Sequence, residues 1–245
     1  MTRERRSPTE RQAWRQGLSV AIATAAYGIS FGALSVASGL DVWQTCALSL
    51  LMFSGGSQFA LVGVVAGGGA PATAIASAAI LGVRNTLYGL SVRPWLGAHG
   101  ATRLPAAILT IDESTAVGLA QPDERARRVG FWVTGIGIYL GWNATTLVGA
   151  LVGDVLGDVR MWGLDAAAAA AFVGLLWPRL ASRQAAAVGV ASAVVAAVLV
   201  PALPAGVPVL VAVVVAIVVG WTNWLGRPTA STTDAATGPD AQERA

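Results

Sequence analysis

Apolar residues run along this chain in long blocks separated by short polar or charged stretches. The blocks cover residues 17–40, 42–66, 71–92, 104–120, 130–153, 161–177, 185–200 and 207–225. A bilayer-spanning helix needs roughly 20 apolar residues, and blocks of this length and number exceed what a soluble core uses. The pattern predicts an all-α, polytopic integral membrane protein with seven to eight hydrophobic segments. Residues 1–16 are expected to form a basic cytoplasmic arm, 17–225 one transmembrane domain, and 226–245, rich in Thr, Ala, Asp and Pro, a disordered tail.

Two blocks carry internal breaks. Phe53-Ser54-Gly55-Gly56-Ser57-Gln58-Phe59 interrupts one with a glycine pair and three polar residues, and Asp112-Glu113-Ser114-Thr115 lies at the centre of another. At least one segment is therefore expected to be interrupted or re-entrant. Unwound backbone at bilayer depth is tolerated only where it lines a cavity or is buried in protein. Close packing against a neighbouring helix is the competing explanation for the glycine pair.

Composition agrees. Hydrophobic residues make up 55% of the chain and charged residues 12%, against about 25% charged in a soluble domain; the mean hydropathy is +0.63. The single Cys46 excludes an internal disulfide, His99 reads as a loop residue, and no CxxC or Cys/His cluster is present, so neither metal nor cofactor is expected. The motifs GxSxG and HExxH and the P-loop are missing too, and adjacent acids do not make an intramembrane diad, so no enzyme is expected.

The net charge of +3 does not call for nucleic acid. Arg3, Arg5, Arg6, Arg11 and Arg15 precede the first block, and Arg125, Arg127 and Arg128 share one loop. That is the positive-inside pattern, with the N-terminus cytoplasmic and membrane lipid a sufficient partner. Eight full crossings leave only the loop with Arg93 and Arg103 on the wrong side. If blocks 42–66 and 104–120 both dip in and return, that loop moves inside as well.

Helix packing has its own signature. Gly28, Gly32, Ser35 and Gly39 recur along the first block, and Gly137, Gly141, Thr145, Gly149 and Gly153 recur every four residues along the fifth. Small residues at that spacing let helices approach closely in lipid. Gly39-Leu40-Asp41 and Gly163-Leu164-Asp165 hint at an internal repeat.

The chemistry concentrates on few positions. Arg84 lies mid-block, and a charge at that depth costs from about 2.5 to about 17 kcal/mol unless paired or wet. On a helix it shares a stripe with Ser77, Tyr88 and Ser91, beside a stripe containing Asn85. Ala79, Val83, Thr86, Leu87 and Leu90 form the opposite face. Arg84 serves either a substrate pathway or a structural ion pair. Asp112 and Glu113 project roughly 100° apart, so one could pair with Arg84 while the other titrates; alternatively both are solvated at a cavity edge. Ser54, Gly55, Gly56, Ser57 and Gln58 are candidates for substrate or ion binding, and Tyr27, Ser30, Asn143 and Thr146 are lesser candidates for the same cavity.

These residues carry a resemblance. Tyr27-Gly28-Ile29-Ser30-Phe31-Gly32-Ala33, the Phe53-to-Phe59 run, Arg84-Asn85-Thr86-Leu87-Tyr88-Gly89-Leu90-Ser91, Asp112-Glu113-Ser114 and Gly163-Leu164-Asp165 resemble the AzlC family in order and spacing, over about residues 17–200. The resemblance implies the large, BrnF-type permease subunit of a branched-chain amino acid exporter in a bacterial inner membrane. It implies leucine, isoleucine and valine, and possibly methionine, as substrates. It further implies coupling to the proton motive force and a small hydrophobic AzlD/BrnE-type partner subunit. A membrane scaffold without transport activity, or a transporter of another small solute, is the competing reading. Two departures stand out. The family commonly reads Asn-Ala-Arg-His where this chain has Gly82-Val83-Arg84-Asn85, so a proton step through that histidine is not available to Asn85. After Gly163-Leu164-Asp165 the usual aromatic and proline are replaced by alanines, Ala166 to Ala171.

Overall fold

The computed structural model describes residues 6–156, 173, 176–204 and 206–222. Most of the expected 161–177 segment, the Gly163-Leu164-Asp165 repeat, the Ala166 to Ala171 run, Arg3, Arg5, Arg227 and the expected tail lie outside the described residues. Among those residues the chain is all-helical, with nine α-helices.

Three helices are long and apolar enough to cross a membrane: α1 (Pro8–Ala37), α4 (Pro71–Leu96) and α7 (Glu124–Leu156). The first starts nine residues before the expected 17. Ser7 and Glu10 form a reciprocal capping box and Pro8 opens the first turn, so the polar arm is already helical. At the far end of α4, Gly97 adopts a left-handed cap (φ 66°), which carries that helix past Val92 to Leu96.

The glycine stripes form the main seam. Gly17 lies against Thr134, Gly28 against Thr145, Gly32 against Gly149 and Ala150, and Gly153 against Ala33. Residue numbers rise together on both sides, so α1 and α7 run parallel. Thr145 Oγ1 also donates to the Ala25 carbonyl across the seam at 2.6 Å. Helix α4 runs the other way. Its last turn meets the start of α7, where Arg128 Nε donates to the Trp95 carbonyl at 2.7 Å.

This geometry settles the path of the two broken blocks. Helices α2 (Val42–Leu51) and α3 (Gly56–Ala66) begin just after α1 ends and finish just before α4 starts. Ser49 Oγ donates to Thr146 Oγ1 on α7 at 3.4 Å, and Tyr139 Oη donates to the Leu50 carbonyl one to two turns deeper, at 3.3 Å. From Gly56, beside Leu81 and Arg84 of α4, α3 climbs back to Val64, which shares a contact with Thr73 at Gly206. Both ends of this hairpin thus lie at one end of the bundle. Helices α5 (Arg103–Ile108) and α6 (Asp112–Leu119) form the mirror case. They leave the end of α4 and return to the start of α7, where Gln121 Nε2 donates to Gln16 Oε1 at 2.9 Å. The break falls at residues 109–111, immediately before the acidic island rather than within it. The island itself is the first turn of α6.

The Arg93 and Arg103 loop therefore lies at the same end as Arg11, Arg15, Arg125, Arg127 and Arg128. The last two helices, α8 (Arg183–Leu199) and α9 (Val207–Thr222), pack antiparallel through Gln184 to the Val219 carbonyl and Ser192 to the Ala212 carbonyl. Large apolar side chains face outward on all sides, among them Trp43, Leu51, Val155 and Trp221 at more than four-fifths exposed. Such a surface suits lipid, not water.

Candidate functional site

Arg84 stands at the midpoint of α4, about 18–20 Å from either end at 1.5 Å per residue. The two hairpin tips arrive there from opposite ends of the bundle. Arg84 Nη2 donates to the Ser54 carbonyl at 3.3 Å, and Nη1 lies 3.4 Å from Asp112 Oδ2. One guanidinium thus bridges a carbonyl of the first break and a carboxylate of the second. The outward face of α4, with Ala79, Val83, Thr86, Leu87 and Leu90, is exposed, as the stripe pattern predicts.

The first tip is built to stay open. Gly55 adopts φ 57°, a conformation that side-chain-bearing residues avoid, and no side chain caps α3. A Cβ at Gly56 would come within 2.9 Å of Arg84 Nη2, so the glycine makes room for the guanidinium. The carbonyls freed at the end of α2 find side-chain partners. Gln58, fully buried, donates through Nε2 to Leu48 and Ser49 at 3.3 Å, and Tyr139 takes Leu50. Aromatic contacts hold the hairpin to α1 and α7: Phe59 with Phe31 at 5.4 Å, Phe59 with Trp142 at 6.2 Å, and Phe53 with Tyr139 at 5.0 Å. At the second tip, Ser114 accepts from the Ile111 amide and donates to the Leu109 carbonyl. The N-terminus of α6 favours the negative charges of Asp112 and Glu113.

Between the tips lies a cavity of about 220 Å³. Its polar wall is Ser54, Gly55, Gly56, Arg84, Asp112, Glu113, Tyr27 and Thr24; its apolar wall includes Phe53, Leu81, Ile111, Ile138 and Trp142. Two of these residues carry buried donors with no hydrogen-bond partner among the described residues, Arg84 Nε and Trp142 Nε1. With a cation, surplus donors and uncapped helix amides on one side and the carboxyls of Asp112 and Glu113 on the other, the wall suits a small zwitterion with its carboxylate toward Arg84. The volume falls below the roughly 300–1,000 Å³ of drug-sized sites, which restricts it to small solutes.

The sequence candidates divide at this point. Tyr27, Ser54, Gly55, Gly56, Arg84, Asp112 and Glu113 share the cavity. Ser57 and Asn85 face a separate cleft of about 360 Å³ on the other side of the first tip. Gln58 staples the tip from within. Thr146 is buried against Ser49, and Asn143 donates to the Tyr139 carbonyl at 2.7 Å within α7. Ser30 and Tyr88 line neither cavity. Thr24, Ile138 and Trp142 escaped the sequence reading. Thr24 lies one turn from Tyr27 on α1, and Ile138 and Trp142 form an i, i+4 pair on α7; such spacing marks a shared face but not which face meets a cavity.

Three long apolar helices, with two broken hairpins that meet at a small polar cavity, fit a multi-pass membrane protein. The chain belongs to the AzlC family: the family described as AzlC protein matches residues 19–156, more than half of the 245. That match ends before Gly163-Leu164-Asp165, short of the residue 200 to which the motif resemblance extends. Membership implies a branched-chain amino acid transporter permease. No curated protein and no solved structure shows significant similarity to the chain.

Proposed function

We propose that this chain is the large permease subunit of a proton-coupled exporter of leucine, isoleucine and valine, and possibly methionine, in a bacterial inner membrane. The arginine-bearing end of the bundle is cytoplasmic. The observation that carries the reading is the position of Arg84: mid-helix, at the meeting point of both tips, in a cavity with surplus donors on one wall and apolar side chains on the other. Arg84 and the open N-terminus of α3 hold the substrate carboxylate, and Leu81, Ile138 and Trp142 accept the aliphatic side chain. In the substrate-free state Asp112 neutralises Arg84. An arriving zwitterion competes for that guanidinium with its carboxylate while its ammonium faces the carboxyls, and Asp112 or Glu113 carries a proton the other way once the substrate has left. Asn85 faces the other cleft and has no part in this exchange.

A small hydrophobic AzlD/BrnE-type subunit is the expected partner. The test is efflux of a panel of labelled amino acids from cells expressing the chain with and without that subunit. Faster loss of leucine, isoleucine and valine supports the proposal. Unchanged efflux across the panel in both settings overturns it and leaves the scaffold reading.

A further inference from the structure

A groove at the arginine-bearing end lies apart from the Arg84 cavity. It measures about 410 Å³ and is lined by Gly89, Arg93 and Leu96 of α4 and by Arg103, Ala106 and Ala107 of α5. Both arginines are exposed at its mouth, no carboxylate is among its lining residues, and neither arginine has an ion-pair partner among the described residues. Thr110 spends its hydroxyl on the Ala106 carbonyl at 2.6 Å, leaving the deep part of the groove apolar. From Leu96 to Gly89 the groove descends about 10 Å along α4, at 1.5 Å per residue. Leu104, next to Arg103 in α5, is exposed as well.

We propose that this groove binds the headgroup of an anionic phospholipid, its phosphate held between Arg93 and Arg103 and the start of an acyl chain lying over the apolar floor. Two exposed arginines lining a groove with an apolar deep part match a phosphodiester attached to a hydrocarbon tail. The lipid ties α5 to α4. Because α5 leads directly into the break that presents Asp112 to Arg84, the occupied groove holds the second tip in its paired position. The inference requires only that the bundle lies in a bilayer; it does not depend on the substrate.

The test is native mass spectrometry of the purified chain in detergent, titrated separately with phosphatidylglycerol, phosphatidylcholine and inorganic phosphate. Arg93→Gln/Arg103→Gln is compared with Arg11→Gln/Arg15→Gln, which removes equal charge from the same end of the bundle, and melting temperatures confirm that both variants fold. Expected is retention of phosphatidylglycerol over phosphatidylcholine, weakened about 30-fold in the first variant and little changed in the second. Equal weakening in both variants, no weakening in either, or equal binding of inorganic phosphate overturns the proposal. Since binding is read without transport, its failure is distinguishable from failure of the exporter reading.

Discussion

Removing the charge of Arg84 separates two roles that share one contact. The guanidinium lies 3.4 Å from Asp112, with side-chain exposures of 28% and 14%. At that distance the Coulomb attraction is about 5 kcal/mol for an effective dielectric of about 20, much of it offset by desolvation. Breaking a buried pair by removing one partner costs about 3–5 kcal/mol; the residual exposure of Arg84 puts this site at the low end or below. Arg84→Gln should therefore destabilise the protein by about 2–3 kcal/mol, and Asp112→Asn by a similar amount. The double variant replaces the ion pair with two neutral amides and should regain most of that stability. If Arg84 and Asp112 were only each other's structural counter-ions, leucine efflux would recover with it. The substrate-anchor role predicts that efflux stays near background while the melting temperature returns. Near-normal efflux in the double variant would refute the anchor.

Further outcomes follow from the surrounding structure. A Cβ at Gly149 would clash with the backbone carbonyl of Ile29, which cannot move without shifting α1, whereas Gly63 faces open space. Gly149→Ala should cost about 1–3 kcal/mol of stability in detergent, and Gly63→Ala should be neutral or gain up to about 1 kcal/mol from helix propensity; equal melting temperatures would deny the seam. Gly56→Ala crowds Arg84 Nη2 at 2.9 Å and should slow efflux more than it lowers the melting temperature. Asp123, ahead of α7, is held below the ordinary carboxyl value of 3.8 by the Ala126 amide and then the Thr9 hydroxyl. A depressed carboxyl stabilises fully above its unfolded value and loses that contribution as pH falls through its folded one. Asp123→Ala should lower the melting temperature at neutral pH, and the gap should close in acid; a gap independent of pH contradicts the cap.

The first hairpin break was legible because glycines and polar residues stand out against an apolar background; the second was read onto the acidic island, whereas the chain turns at residues 109–111, just before it. The placement of Arg93 and Arg103 was legible only as an alternative, since charge bias and segment count pulled in opposite directions until the Arg128 contact with Trp95 set the direction of α4. Each glycine stripe was visible, but nothing in one stripe names its partner or says that α1 and α7 run parallel. The cavity was half legible. Arg84, Asp112, Glu113, Ser54, Gly55 and Gly56 announce themselves by charge or by breaking a helix, whereas Ile138 and Trp142 read the same whether they face lipid or a solute. Ser57 and Gln58 diverge from Gly56 because each step along a helix turns the side chain by about 100°, sending them behind the tip.

In the proposed mechanism Arg84 receives a small amino acid through its carboxylate. The test is counterflow of labelled leucine into vesicles reconstituted with the chain and the small partner subunit proposed for it. Vesicles preloaded with leucine should accumulate label, and vesicles preloaded with leucinamide, which keeps the side chain and amine but lacks the carboxylate, should not. Accumulation driven equally well by leucinamide, or undiminished in Arg84→Gln, would contradict the account.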